Sequence, residues 1–232
     1  MSQPPRDLDP MARLQAQVPP PPVGAALEAA LAGIVPVRTR VPARAFAILV
    51  AFASALALWP ILQAGPRQDL AALPMAWVLA MGAAFALTGP FLLARAVLPA
   101  KGSVLPEASR AGRTAIVVAV GLVLLGLVGT IDAPGVTVHP SSFLAGYWHC
   151  TRTALCITLP VLVVGALVLR HLHPMGGARI AAAIGAAGGA WAAFVLHIIC
   201  PMGGGAHVGL AHGGAAVLGA ALGALLFGRL LR

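Results

Sequence analysis

Charge is the scarcest property of this 232-residue sequence. Only 9% of the residues are charged, with 6 acidic side chains against 15 basic ones, whereas 59% are hydrophobic. Soluble domains carry about 25% charged residues, so an ordinary water-soluble globule is excluded. Disorder is excluded as well, because disordered segments have too little apolar surface to bury and this chain has little else. The composition therefore predicts a protein of the lipid bilayer.

Cysteines and acidic residues are few, and this limits the chemistry. Three cysteines cannot form a fully paired disulfide framework. Ion-coupled transport and intramembrane proteolysis usually require an acidic residue within the membrane. No Asp or Glu lies at the centre of an apolar stretch of this sequence. Ser141 and Ser142 have His139 nearby but no carboxylate to orient a base, so we expect no enzyme. The basic residues are spread through short connectors instead of forming one patch, which argues against direct nucleic-acid binding.

The sequence does contain six apolar stretches of the length that crosses a bilayer, roughly 20 residues each. They lie at about Ala45–Gln63, Leu70–Leu93, Thr114–Ala133, Cys150–Leu169, Ile180–Ile199 and Val208–Gly228. We predict an all-α, polytopic membrane protein in two parts: a leader of residues 1–44 and a six-helix transmembrane domain of residues 45–232. The pairs Gly185/Gly189 and Gly219/Gly223 are Gly-x-x-x-Gly patterns that predict seats for neighbouring helices.

The distribution of Lys and Arg predicts the orientation of the chain, because cytoplasmic loops carry the excess of basic residues. If the N-terminus is inside, all but two of the 15 basic residues lie on the cytoplasmic side, and the exceptions are Arg67 and Arg152. Both termini are therefore expected in the cytoplasm. Trp59, Trp77 and Trp148 are expected at the opposite interface, where indole rings anchor helices.

Thiol and imidazole side chains gather on the outer side of this topology. Cys150 begins the fourth span and Cys200 follows the fifth, whereas Cys156 lies deeper and on a different face of its helix from Cys150. The histidines on or near that side are His139, His149, His197, His207 and His212.

These side chains leave three roles open. Thiolate and imidazole bind soft or borderline metals, two thiols can form a disulfide in an oxidising compartment, and buried Cys or interfacial His can be purely structural. We expect no resident cofactor. A transient metal ion would bind at Cys150 and Cys200, with His197, His207 and His212 as further candidate ligands.

The leader changes character at residue 24. Residues 1–22 are proline-rich, a composition typical of extended and flexible chain. In the following segment Leu27, Leu31 and Ile34 are spaced by four and three, which predicts the apolar stripe of a short amphipathic helix. About three turns of helix are marginal in isolation, so either a membrane surface or the groove of a partner protein must hold this segment.

Several short motifs together resemble a known family. They are A-L-E-A-A-L-A-G-I-V-P-V-R at 26–38, R-Q-D-L at 67–70, the basic loop around Lys101, Cys150 followed by Pro160, and L-H-I-I-C-P at 196–201 followed by His207. On these motifs the chain resembles the NrsF family of six-helix membrane anti-sigma factors. The family usually carries Leu-His-Cys, whereas two Ile residues separate His197 from Cys200 here.

The resemblance implies a function for both ends of the molecule. The leader would sequester an extracytoplasmic-function sigma factor at the bacterial inner membrane. Cys150 and Cys200 would face outward, report heavy-metal or oxidative stress, and release the sigma factor. The residues that would contact the sigma factor are Leu27, Leu31, Ile34, Val37 and Arg38.

A second class of function stays open at this stage. A small membrane transporter, or a helical bundle that binds a metal or haem, would use the same outer histidines to line its site. Haem held between helices needs two histidines that face each other at bundle depth, and only His197 approaches that depth in the predicted topology.

Overall fold

The computed structural model describes residues 24, 42–68, 70, 73–99, 107–128, 140–169 and 177–228, with the backbone alone for 140–145. The chain divides into two compact units, Met1–Thr39 and Arg40–Arg232. All the helices described below belong to the second unit. The predicted leader stripe, with Val37 and Arg38, lies outside the described residues.

Six long helices make up the second unit. They are α1 (Pro42–Ala64), α2 (Met75–Val97), α3 (Ala108–Val128), α4 (Pro140–Leu169), α5 (Gly177–Ile199) and α6 (Gly205–Phe227). Each contains a stretch long and apolar enough to cross a membrane, and the described residues include no strand. The predicted all-α architecture is confirmed for the described residues, with six helices long and apolar enough to cross a membrane.

Three helix boundaries differ from the predicted spans. The second helix begins at Met75 instead of Leu70, because Pro74 precedes it and proline favours the first positions of a helix. The third helix begins at Ala108 instead of Thr114, because its first turns extend through polar residues that precede the apolar stretch. The fourth begins at Pro140, ten residues before Cys150, for the same reason.

The outward-facing surface of the bundle is apolar. Leu62, Leu87, Val117 and Leu225 each expose more than two thirds of their side chains. Contiguous apolar surface of this kind is not stable in water and matches the hydrocarbon of a bilayer. Burial thus supports the same conclusion as helix length, that the second unit is a membrane protein.

Helix α5 lies at the centre of the bundle and packs against each of the other five helices. Its sequence is rich in Gly and Ala, so neighbouring backbones approach closely. A side chain added at Gly185 would collide with the backbone of Gly219, and one added at Gly189 would collide with the backbone of Ala215. The two predicted Gly-x-x-x-Gly seats therefore pack against each other, joining α5 to α6.

Helix α6 changes its winding along its length. After a first turn at Gly205–His207 it follows a π-helix at Val208–Gly213, an α-helix at Gly214–Leu222 and a second π-helix at Gly223–Phe227. In the first π segment the N–H of Gly214 donates to the carbonyl of Gly209, five residues back. Wide turns of this kind are rare and frequently occur at functional sites.

Candidate functional site

One end of the bundle brings together residues from all six helices or their connectors. The α1–α2 connector contacts the end of α5, where the N–H of Arg67 donates to the carbonyl of Ile198 at 2.8 Å. Gly126, near the end of α3, touches the backbone of Gly209 in α6. We call this region, where α1, α3 and α5 end and α2, α4 and α6 begin, the cysteine end.

Two thiols and an imidazole meet at the cysteine end. Cys150 lies in the part of α4 nearest this end, Cys200 directly follows α5, and His207 closes the first turn of α6. The sulfurs of Cys150 and Cys200 are 3.5 Å apart. Nε2 of His207 lies 3.4 Å from the Cys150 sulfur and 3.5 Å from the Cys200 sulfur. Helix α4, helix α6 and the residue after α5 thus supply three potential ligands within contact distance.

His212 completes the group. One potential ligand atom from each of Cys150, Cys200, His207 and His212 lies within 4.8 Å of the others. The ring of His212 meets that of His207 edge to face, with the centroids 5.3 Å apart. We call these four residues the Cys2His2 cluster. Among the described residues, these four side chains form a group that could hold a metal ion.

The π-helix explains how one helix supplies both histidines. His207 and His212 are five residues apart, and in a regular α-helix such residues point about 140° away from each other. A π-helix joins residues five apart by hydrogen bonds and so stacks them on one face. The winding at Val208–Gly213 therefore turns both rings towards the two cysteines.

The cluster is shielded from solvent and lipid. His212 is fully buried, and the side chains of Cys150, Cys200 and His207 are between 2% and 7% exposed. The hydrogen bond with the Cys150 thiol lowers the pKa of the Cys200 thiol, as do the neighbouring rings of His207 and His212, whereas burial opposes this effect. The groups around Cys200 thus favour the thiolate form of its sulfur.

A buried arginine holds the segment that carries Cys200. The side chain of Arg67 is only 5% exposed, and its Nη2 donates to the carbonyl of Pro201 at 2.9 Å. With the backbone bond from Arg67 to Ile198, this fastens the α1–α2 connector to both sides of Cys200.

Comparison with known families decides the identity. The family model described as "Negative regulator of sigma F" (NrsF) matches residues 31–232. The chain belongs to the NrsF family. It is therefore a negative regulator that acts on a sigma factor, and the resemblance seen in the sequence motifs is confirmed. No curated protein and no solved structure matches the chain.

Not all of the sequence-predicted site residues of this NrsF protein meet at the cluster. Cys150, Cys200, His207 and His212 do, but His197 does not, contrary to its expected place among the metal ligands. Its Nε2 donates to the carbonyl of Val78 at 3.1 Å, and its ring packs against Trp77 and Phe85. That bond fixes the ring towards α2, away from the cysteines.

The other candidates of the NrsF protein lie on its surface or outside the described residues. His149, Cys156 and Arg152 are exposed, as are Trp59 and Trp148, in keeping with interfacial or lipid-facing positions. His139 lies outside the described residues. The rings of His207 and His212 are in contact with each other.

Two features of the NrsF protein were not predicted, although Cys200, His207 and His212 were named as candidate metal ligands. Cys200, His207 and His212 form the pattern C-x6-H-x4-H, and its H-x4-H part has a spacing found in zinc sites. This signal was available, but five-residue spacing does not fit one face of an α-helix, which conceals the pairing. Arg67 was interpreted as an orientation signal and as part of the R-Q-D-L motif at 67–70, and not as a buried side chain. Its burial against Pro201 has no signature in the sequence.

Proposed function

We propose that this protein is a membrane-bound anti-sigma factor that holds an extracytoplasmic-function sigma factor at the bacterial inner membrane. The leader captures the sigma factor, and the cysteine end detects a periplasmic heavy-metal or oxidative signal that causes its release. The observation that carries the proposal is the family match over residues 31–232 in a chain whose Cys150 and Cys200 sulfurs lie 3.5 Å apart.

The orientation in this proposal follows from charge. All but two of the 15 basic residues lie on the side that would face the cytoplasm. The two exceptions, Arg67 and Arg152, are close in sequence or space to the cysteine end, which would then face the periplasm. In that compartment thiols encounter metals and oxidants before these are reduced or exported by the cell.

The leader is the segment proposed to bind the sigma factor. Its apolar stripe of Leu27, Leu31 and Ile34 suits a groove on a partner, and Val37 and Arg38 follow at the rim. The family match begins at residue 31, so it includes Leu31, Ile34, Val37 and Arg38 but not Leu27. Burying one Leu side chain contributes about 1.5–3 kcal/mol, so two such anchors carry much of the affinity of a short helix.

The test of capture is the double variant Leu27→Ala/Leu31→Ala. Loss of two anchors is expected to weaken binding of the sigma factor by roughly 100-fold or more, since each 1.4 kcal/mol is tenfold. The full-length chain would be co-expressed with each extracytoplasmic-function sigma factor of its own genome, and the sigma factor bound to isolated membranes would be quantified.

The chain offers a matched control for this experiment. Leu8→Ala/Leu14→Ala removes the same number of methyl groups from the proline-rich part of the leader, outside the stripe. It is expected to capture the sigma factor as the parent does. Equal capture by the stripe variant and the parent, with equal amounts of inserted protein, would contradict the role of the leader.

A further inference from the structure

We infer that His207 and His212, placed by the π-helix, complete with Cys150 and Cys200 a closed four-ligand site for one tetrahedral divalent cation of the Zn²⁺ or Cd²⁺ type. The inference rests on the proposed function only for its regulatory meaning, in which this cation is the signal. Binding of the cation itself depends on the geometry of the cluster alone.

The distances within the cluster fit tetrahedral coordination. Zn²⁺ holds thiolate sulfur at about 2.3 Å and imidazole nitrogen at about 2.0 Å, so tetrahedral angles place two sulfurs about 3.8 Å apart and a sulfur and a nitrogen about 3.5 Å apart. The cluster has 3.5 Å between its sulfurs and 3.4 and 3.5 Å from these sulfurs to Nε2 of His207. A cation can therefore enter with only small movements of these three atoms.

His212 provides an independent argument for a ligand. The residue is completely buried, and within the described part of the chain neither of its ring nitrogens has a hydrogen-bond partner. Buried polar groups are nearly always satisfied, and one left unsatisfied is costly. Coordination to a cation shared with the neighbouring Cys200 and His207 satisfies one of these nitrogens.

The charge of the filled site suits its surroundings. A divalent cation displaces one proton from each thiol to solvent, and two thiolates with two neutral imidazoles then give a site of zero net charge. A neutral site avoids the large cost of burying an unpaired charge. By contrast, a disulfide requires the two sulfurs to approach from 3.5 Å to about 2.05 Å. It also leaves both imidazoles with no cation to bind.

The donor set also defines the class of cation. Two sulfurs and two nitrogens in a tetrahedral arrangement select Zn²⁺ and its heavier relatives over Mg²⁺ or Ca²⁺, which prefer oxygen ligands and higher coordination numbers. With four protein ligands no position is left for a reacting water, as in structural zinc sites. The site is thus built to bind a cation and not to perform catalysis.

The test is titration of the purified, reduced full-length protein with Co²⁺, followed by competition with Zn²⁺. We expect one Co²⁺ per chain, the strong visible absorption of tetrahedral Co²⁺ and near-ultraviolet bands of two thiolates. His207→Gln and His212→Gln are expected to lower the affinity at least about 100-fold, since even loss of a group behind a ligand costs 10–100-fold. His149→Gln, an exposed histidine beside Cys150, is the control and keeps the parental affinity.

A second variant guards against loss of binding through misfolding. His212→Cys keeps a ligand at this position, so tetrahedral absorption persists and the thiolate bands grow to those of three sulfurs. Two-thiolate bands in this variant, parental affinity in His212→Gln, or no tetrahedral Co²⁺ in the parent would each overturn the inference. The titration involves no sigma factor, so such a result leaves capture by the leader standing, and failed capture leaves the metal site standing.

Discussion

At the scale of single residues, Arg67 shows how a buried charge contributes to the site. It is almost fully buried at the cysteine end, where its guanidinium donates to Pro201 next to Cys200. A charged group at this depth is costly unless hydrogen bonds compensate it. Because the bond fixes the segment that follows α5, Arg67 is expected to position Cys200 for the other ligands.

The variant Arg67→Gln tests this positioning role. It removes a charge-assisted hydrogen bond worth about 1.5–3 kcal/mol, so the protein is expected to unfold several degrees lower in detergent. Co²⁺ affinity should also fall by roughly 10–100-fold, the usual effect of losing a group that orients a ligand. The exposed Arg152→Gln is the control. Identical unfolding and Co²⁺ affinity in the two variants would show that Arg67 does not hold Cys200 in place.

At the scale of elements, the first π segment of α6 depends on its contact with α3. Gly126 lies against it so closely that a Cβ there would be 2.6 Å from the Cα of Gly209 and 2.9 Å from the carbonyl carbon of Val208. Neither helix has space for an added methyl group at this point. The contact therefore links the packing of α3 to the direction in which His207 and His212 face.

The variant Gly126→Ala is expected to disturb the site without touching a ligand. The added methyl group must push the π segment away from α3, at a cost of about 1–3 kcal/mol for overpacking. Both the unfolding temperature and the affinity for Co²⁺ should fall. Gly121→Ala on the same helix is the control, because a Cβ there has nothing within 4 Å. If the two glycine variants behave alike, the winding of α6 is independent of α3.

These elements also show what sequence can predict. The six spans follow from hydropathy because every lipid-facing stretch must be apolar and helical. The spacing of the small residues predicted that Gly185 and Gly219 each seat a neighbouring helix. It did not predict that these two glycines pack against each other. The π-helix could not be predicted, since its hydrogen bonds span five residues instead of four and tertiary contacts such as that of Gly126 with Gly209 decide between the two windings.

The site divides in the same way. Residue type and topology were enough to bring Cys150 and Cys200 to one end of the bundle. They were not enough to separate His197 from His212, because both lie near that end and only the rotation of each helix distinguishes them. His197 turns towards Val78 in α2, whereas His212 turns inward to the cluster.

At the scale of the whole molecule, the cysteine end and the far end are joined by α6 and the central α5. Helix α6 has a π segment at each end, and its middle packs backbone to backbone on α5. A cation that fixed His207 and His212 would fix the first π segment and, through the same helix, act on the rest of the bundle. Because α6 packs on α5, and α5 contacts all the other long helices, we expect a change in α6 to reach the rest of the bundle through α5.

The most direct measurement of the central claim is release of sigma factor from loaded membranes on addition of Cd²⁺. Full-length protein carrying its sigma factor would be sedimented after exposure, and the sigma factor in the supernatant quantified. The account predicts release from the parent and from Cys156→Ser, whose sulfur is exposed and outside the cluster. It predicts retention by Cys150→Ser and by Cys200→Ser, which keep the leader but lose a ligand. Release from both of these variants at the parental Cd²⁺ concentration, or no release from the parent, would contradict it.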